Sequence, residues 1–316
     1  MAEGQQLTEN KDIHNSRLEL VFEKRIPGLR VTEAVRHRDF IMRSKHFHED
    51  IEVHFILSGQ RLLFVDKETY HLTAHSCAMV DHDLVHRTSI VPGAPPDHHN
   101  FIIHLDRSVF DGLFRALGLH GFDWFGSTYG GIVRFSDEDW ALIMSIITAF
   151  KDACQGSLRG SGDIESVNSF LYLQAVELAG IYARARKEEV NRQNLVDSAD
   201  QGMVVTTGIH KKVHEIALYL QEHMDENVTL EQVAEHFYMS KSYLTRVFRS
   251  VTGFSVIEYV TFLRVRKAQK LLRESDMPIT DISSSLGFGN ITYFEKVFKQ
   301  TTGSTPGRYR KGLGKI

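Results

Sequence analysis

Two short stretches carry the same pattern of hydrogen-bond donors and positive charge. In the first, Lys241, Ser242, Thr245, Arg246 and Arg249 form the polar, basic side of a helix whose apolar side is Leu244, Val247, Phe248 and Val251. Fifty residues on, Lys296 and Lys299 repeat the basic positions of Arg246 and Arg249, and Phe294, Val297 and Phe298 repeat the apolar ones. Guanidinium, ammonium and hydroxyl groups on an exposed helix face can donate to base edges in the major groove and to phosphates. A second group lies far upstream. His46, His48 and Glu52 are two and four residues apart, so in a strand they share one face. Imidazole and carboxylate together suit Fe, Mn, Ni or Zn.

The elements that must hold the basic faces repeat as well. At an offset of 50, Tyr243 meets Tyr293, Val247 meets Val297, Gly253 meets Gly303 and Tyr259 meets Tyr309. Upstream the offset drops to 49, where Leu230 meets Ile279, Val233 meets Ile282 and Phe237 meets Leu286. One residue has been added in the connecting turn of the second copy, as expected between the intact elements of a true repeat. Each copy reads as a short helix, a tight turn (Tyr238-Met239 or Gly287-Phe288) and a second helix stopped by glycine. Thr229, Ser240 and Asn290 are the expected N-caps. This is the plan of two helix-turn-helix units. Residues 256–274 between them predict a helix that acts as a rigid spacer, able to set the recognition helices about one DNA turn, roughly 34 Å, apart.

Charge follows the same division. The chain of 316 residues carries a net charge of −3, but from residue 238 onward there are 14 Lys and Arg against 5 Asp and Glu. A basic segment on an acidic chain points to a local polyanion contact. No apolar run approaches the roughly 18–20 residues that span a bilayer, and the first residues lack the apolar core of a secretory signal. A cytoplasmic protein with no membrane contact is therefore expected. Two distant cysteines, Cys77 and Cys154, indicate neither a disulfide framework nor a zinc finger.

Upstream, residues 18–106 read as β. The strand runs are 52–57, 62–66, 77–80, 88–91 and 101–105, with turn material such as Ser58-Gly59 between them. Residues 137–151 and 164–187 have helical periodicity, and 188–207 is polar and linker-like. The predicted fold class is multidomain α+β: an N-terminal cupin-like β-barrel with flanking helices, then an all-α domain with two helix-turn-helix motifs joined by a long helix. The expected boundaries are 1–135 for a sensor domain, 136–188 for a helical dimerisation segment, 189–209 for a linker and 210–316 for the DNA-binding domain.

Residues 210–311 resemble the DNA-binding domain of the AraC/XylS family of bacterial transcription regulators. The resemblance is carried by 230–237, 240–248, Gly253, Leu263-Arg264, 268–272, 279–288, 293–299 and the closing run Gly303-Ser304-Thr305-Pro306 with Tyr309-Arg310. It implies sequence-specific binding to double-stranded DNA and activation through RNA polymerase. By that resemblance Ser242, Thr245 and Arg246 read bases in the first unit, and Ile291, Thr292 and Lys296 in the second. Lys241, Arg249 and Lys299 contact phosphates. The second unit departs from an all-polar donor set at Ile291 and Glu295 and is expected to be subordinate.

The run around His46, His48 and Glu52 is similar to the first cupin motif, and 77–86 stands where the second should be. This resembles the sensor domain of the same family. The expected effector-binding residues are Arg38, His46, His48, Glu52 and His86, with Arg36 as an alternative to Arg38 at the barrel mouth. The resemblance to cupin enzymes offers His46, His48, Glu52 and His86 as an alternative divalent-metal set. Against it, Phe40 replaces the usual motif glycine, and Asp81 and His82 stand where prolines are usual. The expectation is a homodimeric regulator that is not an enzyme and holds no cofactor, with a sugar or sugar acid as effector. The alternatives are a metal-dependent cupin enzyme fused to a DNA-binding domain and a regulator with no small-molecule effector. The other histidines, at 54, 71, 75, 82, 98, 99 and 104, are expected mostly on the surface or in loops.

Overall fold

The computed structural model describes residues 18–37, 50–81, 84–116, 118, 121, 130–154, 164–195, 204–205 and 208–313. The N-terminal part is an antiparallel sheet of eight strands: β1 (Leu18–Ile26), β2 (Leu29–Arg36), β3 (Ile51–Val65), β4 (Glu68–Thr73), β5 (Ser76–Val80), β6 (His86–Ser89), β7 (His98–Leu105) and β8 (Gly131–Arg134). Strand order along the main path is β1-β2-β7-β3-β5-β8, with β4 and β6 pairing to the far half of β3.

The expected turn at Ser58-Gly59 is instead a kink within the single long strand β3. Its register shifts between Ile56 and Ser58, and Gly59 has φ 79°. A Cβ at Gly59 would collide with the Asp97 carbonyl oxygen, so only glycine lets the two chains approach there. The bulge bends β3 so that it belongs to two leaves. One leaf holds β1, β2, β7, β5 and β8, and the other holds β4 and β6. Ile56, Ala78, Val80 and Ile132 of the first leaf pack with Leu63 and Leu72 of the second, so the leaves face each other.

Period-2 alternation gives each leaf a second face. On the first leaf, Val31, Val53, Phe55, Phe101 and Ile103 pack against α1 (Arg107–Ala116), α2 (Asp137–Cys154) and α3 (Ile164–Leu195). Helix α3 runs past the expected end at Lys187 to Leu195. Beyond it, Val204 bridges to Tyr70, and the Val205 N–H donates to the Thr69 carbonyl at 2.7 Å, so this part of the polar segment lies along the edge of β4.

The C-terminal part is all helical: α4 (Gly208–Glu222), α5 (Leu230–His236), α6 (Lys241–Thr252), α7 (Val256–Glu274), α8 (Ile279–Ser285), α9 (Ile291–Thr302) and α10 (Pro306–Leu313). Its caps are those the residues predict. Thr229 forms a capping box with Gln232, Ser240 accepts from the Tyr243 N–H, and Asn290 accepts from the Thr292 N–H. Gly253 and Gly303 end α6 and α9 in the left-handed conformation, φ 83° and 77°. Helix α7 enters two cores. Val256, Tyr259, Val260 and Leu263 pack with α4, α5 and α6, while Val265, Ala268 and Leu272 pack with α8 and α9. The Arg264 guanidinium donates to the carbonyls of Met224, Glu226 and Gly287, which ties the spacer to both units.

Candidate nucleic-acid interface and barrel interior

Helix α6 sorts its side chains by face. Leu244, Val247, Phe248 and Val251 are buried, while Lys241, Ser242, Arg246 and Arg249 are exposed and Thr245 is half-buried. These five polar residues line one open concavity of about 700 Å³ with Leu230 and Ser250. The Arg246 guanidinium lies over the Tyr243 ring, 5.5 Å from its centroid, and so is held outward. Lys241 is ion-paired to Glu231 of α5, an exposed pair that phosphate could displace at little cost. On α9, Ile291, Thr292, Glu295, Lys296 and Lys299 are all exposed, above a buried Phe294 and Phe298. The second face therefore mixes donors with one apolar and one acidic side chain.

The turns between paired helices also correspond. Tyr238 has φ 54° and Gly287 has φ 71°, at matching places in the two units. Glycine takes this conformation at no steric cost. Tyr238 takes it with a side chain 98% exposed, so no packing offsets the strain.

Of the expected effector residues, Arg38, His46 and His48 lie outside the described residues. Glu52 and His86 are both buried, and His86 Nε2 lies 3.4 Å from Glu52 Oε2. Among the described residues no three His, Cys, Asp or Glu side chains are grouped to hold a metal ion.

The expectation that the other histidines are mostly superficial needs correction. His54, His98 and His104 are buried on β3 and β7. The pleat is the reason: they alternate with Val53, Phe55, Phe101 and Ile103, whose face is covered by helices, so the histidines turn to the interior between the leaves. His99, on the opposite face, bonds the buried Glu33 carboxylate at 2.8 Å, and Lys151 of α2 pairs with the same carboxylate at 2.8 Å. The inner row also holds Asn100, whose amide nitrogen donates to His54 Nε2 at 3.2 Å, and the fully buried Arg61. Burial lowers the His54 pKa to about 4 and the His98 pKa to about 2, the latter helped by Arg61, so both rings are neutral at neutral pH. Burial, with Arg36 nearby, pushes Arg61 down to about 10, still charged at neutral pH. The sequence signal for these residues was the alternation itself. It reads equally well as a strand with a solvent face, because closure of the second leaf is not local information.

The second leaf brings the two parts of the chain together, which the sequence did not suggest. Its outer residues Phe64 and Val85 join the core of α4, α6 and α7. The Arg87 guanidinium donates to the carbonyls of Arg249 (2.7 Å) and Ser250 (3.0 Å) at the C-terminal end of α6. The buried Tyr259 hydroxyl donates to the Asp66 carbonyl at 2.5 Å, and Arg266 pairs with the Asp66 carboxylate at 3.0 Å.

Known proteins share both parts. Residues 28–141 match the AraC-like ligand binding domain family, and residues 233–312 match a helix-turn-helix domain family. The arabinose operon regulatory protein of Escherichia coli (strain K12) is 35% identical over 102 residues, 32% of this chain and 35% of that protein. The HTH-type transcriptional activator RhaS of Salmonella schwarzengrund (strain CVM19633) is 36% identical over 105 residues, 33% of this chain and 38% of that protein. The matches thus span little more than a third of these relatives' length. Among solved structures, the C-terminal domain of AraT, a response regulator from Geobacillus stearothermophilus, is 34% identical. It covers 34% of this chain and 86% of that one, with a TM-score of 0.32.

Proposed function

We infer that this chain, a member of the AraC/XylS regulator family by both of its domains, is a sequence-specific activator of transcription controlled by a small molecule in the barrel. The observation that carries the DNA reading is the pair of N-capped helices α6 and α9, each with a buried apolar face and an exposed face of donors and cations. Ser242, Thr245 and Arg246 read bases from α6, and Ile291, Thr292 and Lys296 from α9, while Lys241, Arg249 and Lys299 hold phosphates. Activation, by contact with RNA polymerase, is supported by the relative described as a transcriptional activator.

The barrel interior holds the effector, with Glu52 and His86 among its contacts. Arg38, His46 and His48 are assigned to the same site from the sequence. A sugar or sugar acid is the effector class, in keeping with a relative named for an arabinose operon. The leaf of β4 and β6 carries the signal, because one face meets the barrel interior and the other meets α6 and α7. A ligand with different affinities for two poses of that leaf biases DNA binding. Exposed Leu142 on α2 and Leu173 on α3 give a homodimer an apolar seam, which would place two DNA-binding domains on two half-sites. No helix among the described residues is long and apolar enough to cross a membrane, and the protein acts in the cytoplasm on its operator. The test is selection of bound duplexes from a random library. Enrichment of one motif supports the reading, and a library left unenriched after repeated rounds refutes it.

A further inference from the structure

The sensor places a cation beside the recognition surface. Arg87 of β6 reaches across the junction between the two parts of the chain, and its Nη1 donates to the Arg249 and Ser250 carbonyls at 2.7 and 3.0 Å. Arg249 and Ser250 also line the open concavity shared by Ser242, Thr245 and Arg246. The sensor's arginine therefore stands at the edge of that concavity, at the C-terminal end of α6. Arg249 is three residues beyond Arg246, less than one helical turn.

A guanidinium has five N–H donors. The two carbonyls of α6 occupy only Nη1. The Nε–H is buried and has no partner. Among the described residues nothing bonds Nη2, which unlike Nε is not enclosed. No carboxylate among the described residues pairs with Arg87 or with Arg249, which is exposed on α6. The two cations instead lie close to each other. Burial, and after it the charge of Arg249, lowers the Arg87 pKa. The negative end of the α6 dipole offsets part of this repulsion. A phosphate over both groups offsets the rest, because arginine meets phosphate oxygens through paired N–H donors.

We propose that Arg87 of the sensor and Arg249 of α6 grip one phosphate of the DNA backbone together, so that the docked sensor forms part of the DNA interface. This rests on the reading of α6 as the helix that enters the major groove. With bases met by Ser242, Thr245 and Arg246, the strand bordering the groove passes the end of the helix where Arg87 stands. A phosphate contact carries no sequence information. A shift of the β4 and β6 leaf then changes affinity for every duplex by one factor and leaves base preference alone.

The experiment is anisotropy titration of the full chain on a library-selected duplex and a scrambled one across a range of salt, with wild type, Arg87→Gln, Arg87→Lys and Arg249→Gln. Glutamine keeps a donor for the α6 carbonyls and removes the charge. Arg87→Gln lowers the log–log salt slope by about 0.9, so its deficit against the wild type shrinks about threefold between about 50 and about 200 mM salt. The deficit is the same on both duplexes, and Arg87→Lys keeps the wild-type slope. A scan of single methylphosphonates along the selected duplex locates the contact. Neutralising one phosphate weakens the wild type, and it weakens Arg87→Gln and Arg249→Gln several-fold less. Arg87→Met, neutral and of similar length, takes the place of Arg87→Gln if that variant does not melt cooperatively. An unchanged salt slope in the neutral variant, a deficit confined to the selected duplex, or no phosphate shared by the two arginines overturns the proposal. A wild type that prefers the selected duplex while the slope ignores Arg87 sinks the shared phosphate alone. A wild type that binds both duplexes equally sinks the base-reading assignment and this proposal with it.

Discussion

His86 and Arg87 are consecutive residues of β6 that face opposite ways. His86 Nε2 lies 3.4 Å from Glu52 inside the barrel, while Arg87 donates to two carbonyls at the C-terminal end of helix α6. Only one strand separates the sensor interior from the helix that presents Arg246. The guanidinium sits where the helix dipole is negative, and it adds a donor to the Ser250 carbonyl and to the Arg249 carbonyl, which also accepts from the Gly253 N–H.

Removing that contact should loosen the end of α6. Arg87→Ala is expected to speed amide exchange at residues 250–253 by about tenfold, the equivalent of one hydrogen bond. Exchange at the end of α9, which the sensor does not cap, should stay as in the wild type. Mass-resolved hydrogen exchange reads both segments in one experiment. Equal acceleration at both ends would mean the arginine acts on global stability only.

The two C-cap glycines form a natural control. A Cβ at Gly253 would lie 3.1 Å from Arg87 Cδ, whereas at Gly303 it would meet nothing within 4 Å. Both substitutions to alanine pay the left-handed penalty, about 1 kcal/mol. Gly253→Ala should cost more than Gly303→Ala in urea melts. In an Arg87→Ala background the two should cost the same, as a double-mutant cycle requires.

Arg246 and Lys296 occupy the same place in the two units but have different neighbours. Arg246 is oriented by Tyr243, whereas Lys296 follows Glu295 on a face that also exposes Ile291. Arg246→Ala should cost about 1–3 kcal/mol on the selected duplex and relax preference at one base position. Lys296→Ala should cost less. Anisotropy titrations with the selected and single-base variant duplexes decide this, and a uniform loss on every duplex would make Arg246 a phosphate contact.

Buried His54 and His98 set a pH dependence. Their native pKa values, about 4 and about 2, lie below the value of 6.5 for the exposed group. As pH falls below 6.5 the unfolded chain takes up protons that the native rings do not. Their contribution to stability is complete above pH 6.5 and declines toward pH 4, at roughly 1.4 kcal/mol per pH unit per ring. His98→Asn should shallow the slope of melting temperature against pH in that window. An unchanged slope would place the acid sensitivity elsewhere.

How much was legible in the sequence depended on how local the cause was. The repeat, the caps at Thr229, Ser240 and Asn290 and the stops at Gly253 and Gly303 are set by neighbours within a few residues, and they were read correctly. Ser58-Gly59 was misread because glycine serves both a turn and a bulge, and the choice is made by Asp97, far along the chain. The inward histidines and Arg61 were missed because an alternating strand does not say which face a second leaf will cover. The docking of Phe64, Val85 and Arg87 on α6 was invisible for the same reason: two apolar residues and an arginine on a strand carry no address.

The central claim is specific recognition of DNA through α6 and α9. Its most direct measurement is the affinity for a library-selected duplex and for a scrambled duplex of the same composition, each titrated across a range of salt. The account predicts a preference of about a thousandfold or more for the selected sequence, with affinity for both duplexes falling steeply as salt rises. Equal affinity for the two duplexes at every salt concentration would contradict it.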